Sequence, residues 1–147
     1  MDDIDRQLVR LLVADARLSY QELARMVLLS ANSTADRVRR LRQSGTIAGY
    51  HAELDLASVG RTLHALTDVK LKEHVGREDF EDALEGVPQV LSAMHTTGEF
   101  DYQLRIACTG TADLQNLVDT VRRLGAREVQ SRIVLGERRF DPTRLLA

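Results

Sequence analysis

The sequence predicts an α+β protein in which an N-terminal winged helix-turn-helix domain is joined to a C-terminal ferredoxin-like βαββαβ sandwich. Apolar residues in the first third recur at helical spacing, and serine and glycine stand at the expected helix ends. After about Leu63 the apolar period becomes two, as in strands with one buried face. Segment 16–51 holds six arginines against two acids, a local charge of +4, although the whole chain carries −2. Such charge asymmetry is typical of a nucleic-acid-binding domain attached to another domain.

Composition limits the class of protein. The chain has 147 residues, of which 44% are hydrophobic and 29% charged, enough to bury the cores of two small domains. No apolar run approaches the ~20 residues that cross a membrane, and the N-terminus is acidic where a signal peptide is basic. A single cysteine, Cys108, excludes an internal disulfide framework. We expect a cytoplasmic, nucleoid-associated protein with no membrane partner.

Residues 1–54 form the predicted DNA-binding domain of three helices and a small hairpin. A residue that can cap a helix precedes each helix: Asp2 or Asp3, Ser19 and Ser30. The third helix should bury Ala35, Val38 and Leu41 and end near Ser44, since Gly45 accepts the left-handed conformation that closes a helix. The stretch after Gly45 has strand-like pieces interrupted by glycine, which predicts the hairpin of the wing.

Residues 55–62 are the predicted linker, and residues 63–147 the predicted sandwich domain. Strands are expected over about 63–71, 90–96, 102–108 and 129–135. A helix that stops at Pro88 should follow the first strand, and a helix capped by Thr111 or Asp113 and closed at Gly125 should follow the third. The order β-α-β-β-α-β is that of a ferredoxin-like sandwich.

The third helix has the residue types of a recognition helix. Short hydrogen-bonding side chains at its N-terminal end suit base edges in a major groove, Asn32 being of the type that pairs with adenine. Arginines further along, Arg37 and Arg40 foremost, suit phosphates. Tyr20 and Gln21 could add backbone contacts. The predicted DNA-contacting residues are Tyr20, Gln21, Ser30, Asn32, Ser33, Thr34, Arg37, Arg39 and Arg40.

A simpler interpretation is that the serines only cap the helix and the arginines are only a solvated face. The whole set of features favours DNA binding over it: a capped helix, a short turn, a polar and then basic helix, a glycine stop and a hairpin.

Three motifs carry a resemblance to a known family. They are Asp3-Ile4-Asp5-Arg6-Gln7-Leu8, then Leu29-Ser30 with Arg37-Val38-Arg39-Arg40-Leu41 and Gly45-Thr46-Ile47-Ala48-Gly49-Tyr50, and Gly98-Glu99-Phe100-Asp101-Tyr102. In this order and spacing the chain resembles the Lrp/AsnC (feast/famine) transcriptional regulators over essentially its whole length.

The resemblance implies a homodimer that assembles into tetramers or octamers on double-stranded DNA. It also implies a small effector, an amino acid, bound between dimers at the turn Gly98, Glu99, Phe100, Asp101 and Tyr102, with no cofactor. A carboxylate there would take the ammonium and the glycine turn would offer N–H groups to the carboxylate. An equally simple interpretation is a hairpin in which Gly98 supplies a positive φ.

One departure from the family concerns Leu28, which stands where members usually have glycine. If the backbone there is left-handed, leucine costs roughly 1 kcal/mol. The prolines common near the start of the recognition helix are also replaced, by Ala31 and Ser33.

Two other functions stay open from the sequence: an effector-independent architectural DNA-binding protein, and an enzyme or metabolic sensor built on the sandwich. The four histidines and Cys108 show no metal-ligand spacing, and no nucleophile elbow or phosphate-binding loop occurs. We therefore expect neither a metal site nor enzymatic activity.

Overall fold

The computed structural model describes residues 1–146, which divide into two compact units. The helical unit comprises Met1–Glu53 together with residues 139–146, and the sandwich unit comprises Leu54–Arg138. Residues 139–146 were expected in the sandwich domain. They end in a short 3-10 helix, Pro142–Leu146, and Leu146 packs on the helical core while its carbonyl accepts a 3.0 Å hydrogen bond from Arg10.

The three predicted helices of the helical unit are confirmed. They are α1 (Asp3–Ala14), α2 (Tyr20–Val27) and α3 (Ala31–Gln43). Each begins after a side chain that accepts a backbone N–H, at Asp2, Ser19 and Ser30 respectively. Reciprocal capping boxes close the starts of α1 and α2, so the helix ends are fixed by local hydrogen bonds.

The core of the helical unit lies between the three helices. Its buried residues are Leu8, Val9, Leu12, Leu23, Val27, Val38 and Leu41. On α3, Val38 and Leu41 face inward as predicted, but Ala35 is only half-buried and Thr34 is fully buried instead.

The predicted hairpin of the wing does not form: in the described chain no strand precedes Leu63. The N–H of Ile47 donates to the carbonyl of Leu41 at 3.0 Å, and the Ile47 side chain packs on the helical core. Tyr50 lies beside Arg42, whose guanidinium carbon is 5.5 Å from the ring centroid. Contacts with α3 thus replace strand pairing, in keeping with the marginal stability of a lone two-stranded hairpin.

The sandwich unit has the predicted order of elements. They are β1 (Leu63–Leu71), α4 (Arg77–Leu84), β2 (Val90–His95), β3 (Tyr102–Cys108), α5 (Thr111–Arg123) and β4 (Ala126–Ile133). The strands form one sheet in the order β2-β3-β1-β4, and every neighbouring pair is antiparallel. The ferredoxin-like topology is confirmed.

The core of this unit lies between the sheet and the two helices. Its fully buried side chains include Val69, Phe80, Tyr102, Leu104, Ile106, Leu117 and Val121. The fourth strand begins and ends earlier than predicted, since it runs from Ala126 to Ile133 and leaves Leu135 98% exposed.

The predicted side-chain cap of α5 is wrong, since Gly110 is the N-cap residue and no side chain caps the helix. The carboxylate of Asp113 is already bound by Gln89 at 2.8 Å, by the N–H of Thr109 at 2.9 Å and by Arg61 at 3.1 Å. The predicted linker residue Arg61 is thereby anchored to the sandwich unit.

Candidate nucleic-acid interface and effector cleft

The exposed face of α3 begins with short polar side chains. Ser30, Asn32 and Ser33 are all exposed, and the hydroxyl of Ser30 donates to that of Ser33 at 2.8 Å. Tyr20 and Gln21 are exposed at the start of α2. These five side chains can reach a partner outside the unit, as a helix entering a groove requires.

Thr34, predicted to contact DNA, is instead a core residue. It is fully buried, and its hydroxyl donates to the carbonyl of Ser30 at 3.0 Å. Because the helical period places Thr34 four residues before Val38, its methyl group joins the inner stripe. The prediction for Thr34 is wrong.

Arg37 is bound within the unit and is only half-buried. Its Nη1 atom donates to Asp2 at 2.6 Å and to Asp5 at 2.8 Å, and only 22% of its side chain is exposed. The N–H of Asp5, and after it the guanidinium of Arg37, hold the pKa of Asp2 below its ordinary value. That Arg37 binds a phosphate stays a prediction, and its guanidinium is already bound by two carboxylates at the start of α1.

The exposed cations of α3 are therefore Arg39, Arg40 and Arg42. Arg39 forms a 2.6 Å surface ion pair with Asp36, of a kind that contributes little and exchanges readily. Arg40 has no ion-pair partner in residues 1–146 and is the best placed to bind a phosphate.

The turn between α2 and α3 keeps its left-handed geometry despite the missing glycine. Leu28 has φ 57° and ψ 44°, and 89% of its surface is exposed. Its N–H donates to the carbonyl of Ala24, which closes α2. Leu28 therefore carries backbone strain and gains no burial in return.

The predicted effector turn joins β2 to β3. Gly98 has φ 118°, Glu99 is exposed, and Phe100 and Asp101 are half-buried. The Oδ2 atom of Asp101 accepts a 2.7 Å hydrogen bond from the N–H of Leu71, and the Asp101 N–H donates to Val69 at 2.9 Å. Asp101 thus ties the turn to the end of β1.

Tyr102 does not line a site, although it was predicted with the turn. It is fully buried, its ring centroid lies 5.3 Å from that of Phe80, and its hydroxyl donates to Glu81. Burial, and then the neighbouring Glu81, raise the pKa of this phenol. Alternation along β3 turns its ring into the core, so the prediction for Tyr102 is wrong.

A cleft of about 370 Å³ opens beside Asp101, within the usual range of about 300–1,000 Å³ for small-molecule sites. It is lined by Lys70, Leu71, Lys72, Glu73, Val75, Arg77, His95, Asp101 and Arg127. Of the five predicted effector residues only Asp101 lies in it. The other eight lining residues were not predicted from the sequence, although the two lysines at the end of β1, Lys70 and Lys72, are a sequence signal for a basic site.

Residues 1–146 contain neither a metal-ligand cluster nor a helix able to span a membrane. No group of three or more histidine, cysteine, aspartate or glutamate side chains could hold a metal ion. None of the helices combines the length and apolar character that crossing a bilayer requires.

Both units match known domain families. Residues 1–42 match the AsnC-type helix-turn-helix domain, and residues 64–143 match the Lrp/AsnC ligand binding domain. Among curated relatives, the Bkd operon transcriptional regulator of Pseudomonas aeruginosa is 37% identical over 117 residues, which are 78% of this chain and 76% of that protein. The HTH-type transcriptional regulator LrpA of Mycobacterium tuberculosis is 33% identical over 135 residues, 92% of this chain and 90% of that protein.

Solved structures agree with both matches. A transcriptional regulator of Neisseria meningitidis in complex with L-methionine superposes with a TM-score of 0.88 at 31% identity, covering 97% of this chain and 95% of that one. A feast or famine regulatory protein of M. tuberculosis complexed with L-methionine gives 0.86 at 33% identity, with 96% of each chain covered. With matched domains along most of its length and relatives above 30% identity, the chain belongs to the Lrp/AsnC family.

Proposed function

We propose that the chain is a sequence-specific DNA-binding transcriptional regulator that works as a homo-oligomer and responds to a small amino-acid effector. The observation that carries the proposal is the exposed face of α3, where Ser30, Asn32 and Ser33 precede Arg39 and Arg40. Two relatives that align with most of the chain are transcriptional regulators by name.

On this proposal the two ends of the exposed face have different tasks. Asn32 and the two serines read base edges in the major groove, since an asparagine amide can pair bidentately with adenine. Arg40 and Arg39 bind phosphates, and Tyr20 and Gln21 contact the backbone from the start of α2.

The sandwich unit senses the effector. Two related regulators were crystallised with L-methionine, which supports an amino acid as ligand. Gly98, Glu99 and Phe100 at the turn and Asp101 at the cleft are the proposed contacts. An effector that binds one assembly more tightly than another shifts the spacing of the recognition helices, and so the affinity for the operator.

Self-association into dimers, and further into tetramers or octamers, is part of the proposal. The sheet face opposite the helices carries Leu66, Met94 and the ion pair of Asp68 with Arg132 at 2.5 Å. A second sheet can pack on such a mixed face. Linked copies also supply the avidity that one helix-turn-helix lacks.

The experiment is footprinting on fragments selected from genomic DNA. A regulator protects discrete sites, at low micromolar concentration or below, and its pattern changes with the effector. Uniform coating of all fragments would instead favour an effector-independent architectural protein, the second function that the same helices allow.

A further inference from the structure

We propose that the cleft beside Asp101 takes a small dicarboxylate, either a dicarboxylic amino acid or the corresponding oxo acid, in preference to an apolar amino acid. The inference rests on the proposed function, because it names the chemical class of the effector. It is drawn from the charges that line the cleft.

The cleft is strongly basic. Lys70, Lys72, Arg77 and Arg127 line it with His95, against two acids, Glu73 and Asp101. Even with neutral histidine the lining carries a net charge of +2, in a chain whose total is −2. Cations gathered in a concave site attract a ligand of opposite charge.

Within residues 1–146 the cations of the cleft have no carboxylate partner at ion-pair distance. In residues 1–146 none of Lys70, Lys72, Arg77 and Arg127 forms an ion pair. Some arginines elsewhere in the sandwich unit are paired: Arg61 with Asp113 and Arg132 with Asp68. Four cations that form no ion pair within residues 1–146 thus line the cleft where the ligand is expected.

Asp101 leaves room for the ammonium of an amino acid. Its Oδ2 atom is committed to the N–H of Leu71, whereas Oδ1 can still accept. Each of the two carboxylates of a dicarboxylic amino acid would form ion pairs with different cations of the cleft lining. A methionine-like side chain would meet only Leu71 and Val75 as apolar lining.

The ligand test compares acids with their uncharged amides on the full chain. In isothermal titration, L-glutamate and L-aspartate should bind at least about tenfold more tightly than L-glutamine and L-asparagine. Each amide lacks one negative charge of its acid, so the difference in affinity should become smaller as the salt concentration rises. 2-Oxoglutarate in a parallel titration reports whether the ammonium is needed. The inference is overturned if the amides bind as tightly, if L-methionine binds more tightly than both acids, or if no dicarboxylate binds.

Two variants test whether dicarboxylates bind in the cleft. Lys72→Gln combined with Arg127→Gln should weaken dicarboxylate binding by at least about tenfold, whereas Arg122→Gln, on the exposed face of α5, should not. Equal affinity in the cleft variant would overturn the proposed site.

Operator binding without ligand separates the two proposals. If the unmodified chain protects discrete sites but responds only to apolar amino acids, the regulator stands and the dicarboxylate inference fails. If it binds dicarboxylates but protects no DNA, the regulator fails.

Discussion

The guanidinium of Arg37 on α3 donates a 2.8 Å hydrogen bond to the carboxylate of Asp5 on α1. The same nitrogen reaches Asp2, the N-cap residue of α1, at 2.6 Å. This contact joins the recognition helix to the start of the first helix and takes one arginine out of the exposed basic face. Arg37 therefore supports the position of α3, and Arg40, which has no ion pair within residues 1–146, is the arginine that we propose binds phosphate.

Replacing Arg37 should lower stability more than it lowers DNA affinity. Arg37→Gln removes a charged hydrogen-bond donor from Asp5, whose side chain is 18% exposed. The free energy of unfolding should fall by about 1 kcal/mol, since solvent screens part of the interaction. Thermal unfolding measures the loss. Arg40→Gln is the matched control, and a loss of equal size there would contradict the assignment.

Replacing Arg40 should weaken binding to every DNA sequence alike. A phosphate contact contributes counterion release without sequence information, so Arg40→Gln should flatten the slope of log K against log salt by about one. The slope should change less in Arg37→Gln. Titrations at several salt concentrations check both, and an unchanged slope for Arg40→Gln would refute its placement.

Glycine at position 28 should stabilise the helical unit. Leu28→Gly removes the backbone strain of a left-handed residue whose surface is 89% exposed. The free energy of unfolding should rise by roughly 1 kcal/mol. Leu29→Gly serves as the control and should destabilise, since Leu29 packs on the core. Chemical denaturation of the three proteins measures the differences, and a destabilised Leu28→Gly protein would show that the leucine has a role beyond the turn.

Stability should fall in acid through Asp113. Hydrogen bonds from Gln89 and from the N–H of Thr109, and then the charge of Arg61, lower its pKa below the ordinary 3.8. A lowered pKa in the folded state adds stability that is present above the unfolded value and is lost as the pH falls through the folded one. Asp113→Asn should thus be less stable than the unmodified chain at pH 7. The difference in free energy of unfolding between the two proteins should become smaller below about pH 4. A gap independent of pH would argue against this role.

Asp101→Asn should separate ligand binding from folding. An amide oxygen can still accept the N–H of Leu71, while the negative charge that would attract an ammonium is lost. We expect the amino-acid response to fall by about tenfold or more, with effector-free DNA binding and melting temperature kept. Asp101→Ala should lose both the response and stability. A full response in Asp101→Asn would move the ammonium site elsewhere.

Local signals made most of the fold predictable. The caps at Ser19 and Ser30 fix where helices start, and the period of two from Leu63 fixes which face of β1 is buried. The burial of Thr34 also follows from a local signal, the helical period that places it on the stripe of Val38. The ion pairs of Arg37 could not be predicted in this way, because they involve two acids more than thirty residues away.

The candidate effector site was predictable only in part, for a related reason. The turn motif located Asp101, but the cleft beside it is assembled from β1, the loop after it, the start of α4, β2 and β4. The burial of Tyr102 follows from the alternation along β3, since the same period that buries Leu104 and Ile106 also buries its ring. The basic lining appears only when Lys72 and Arg127 are brought together by the sheet.

The most direct measurement is the affinity of Asn32→Ala for a selected operator and for a random duplex of equal length, at one salt concentration. Asn32 is exposed at the start of α3, so losing its amide should weaken operator binding by about tenfold or more and random binding very little. Equal losses on both duplexes, or no loss on either, would contradict base reading by this face of the helix.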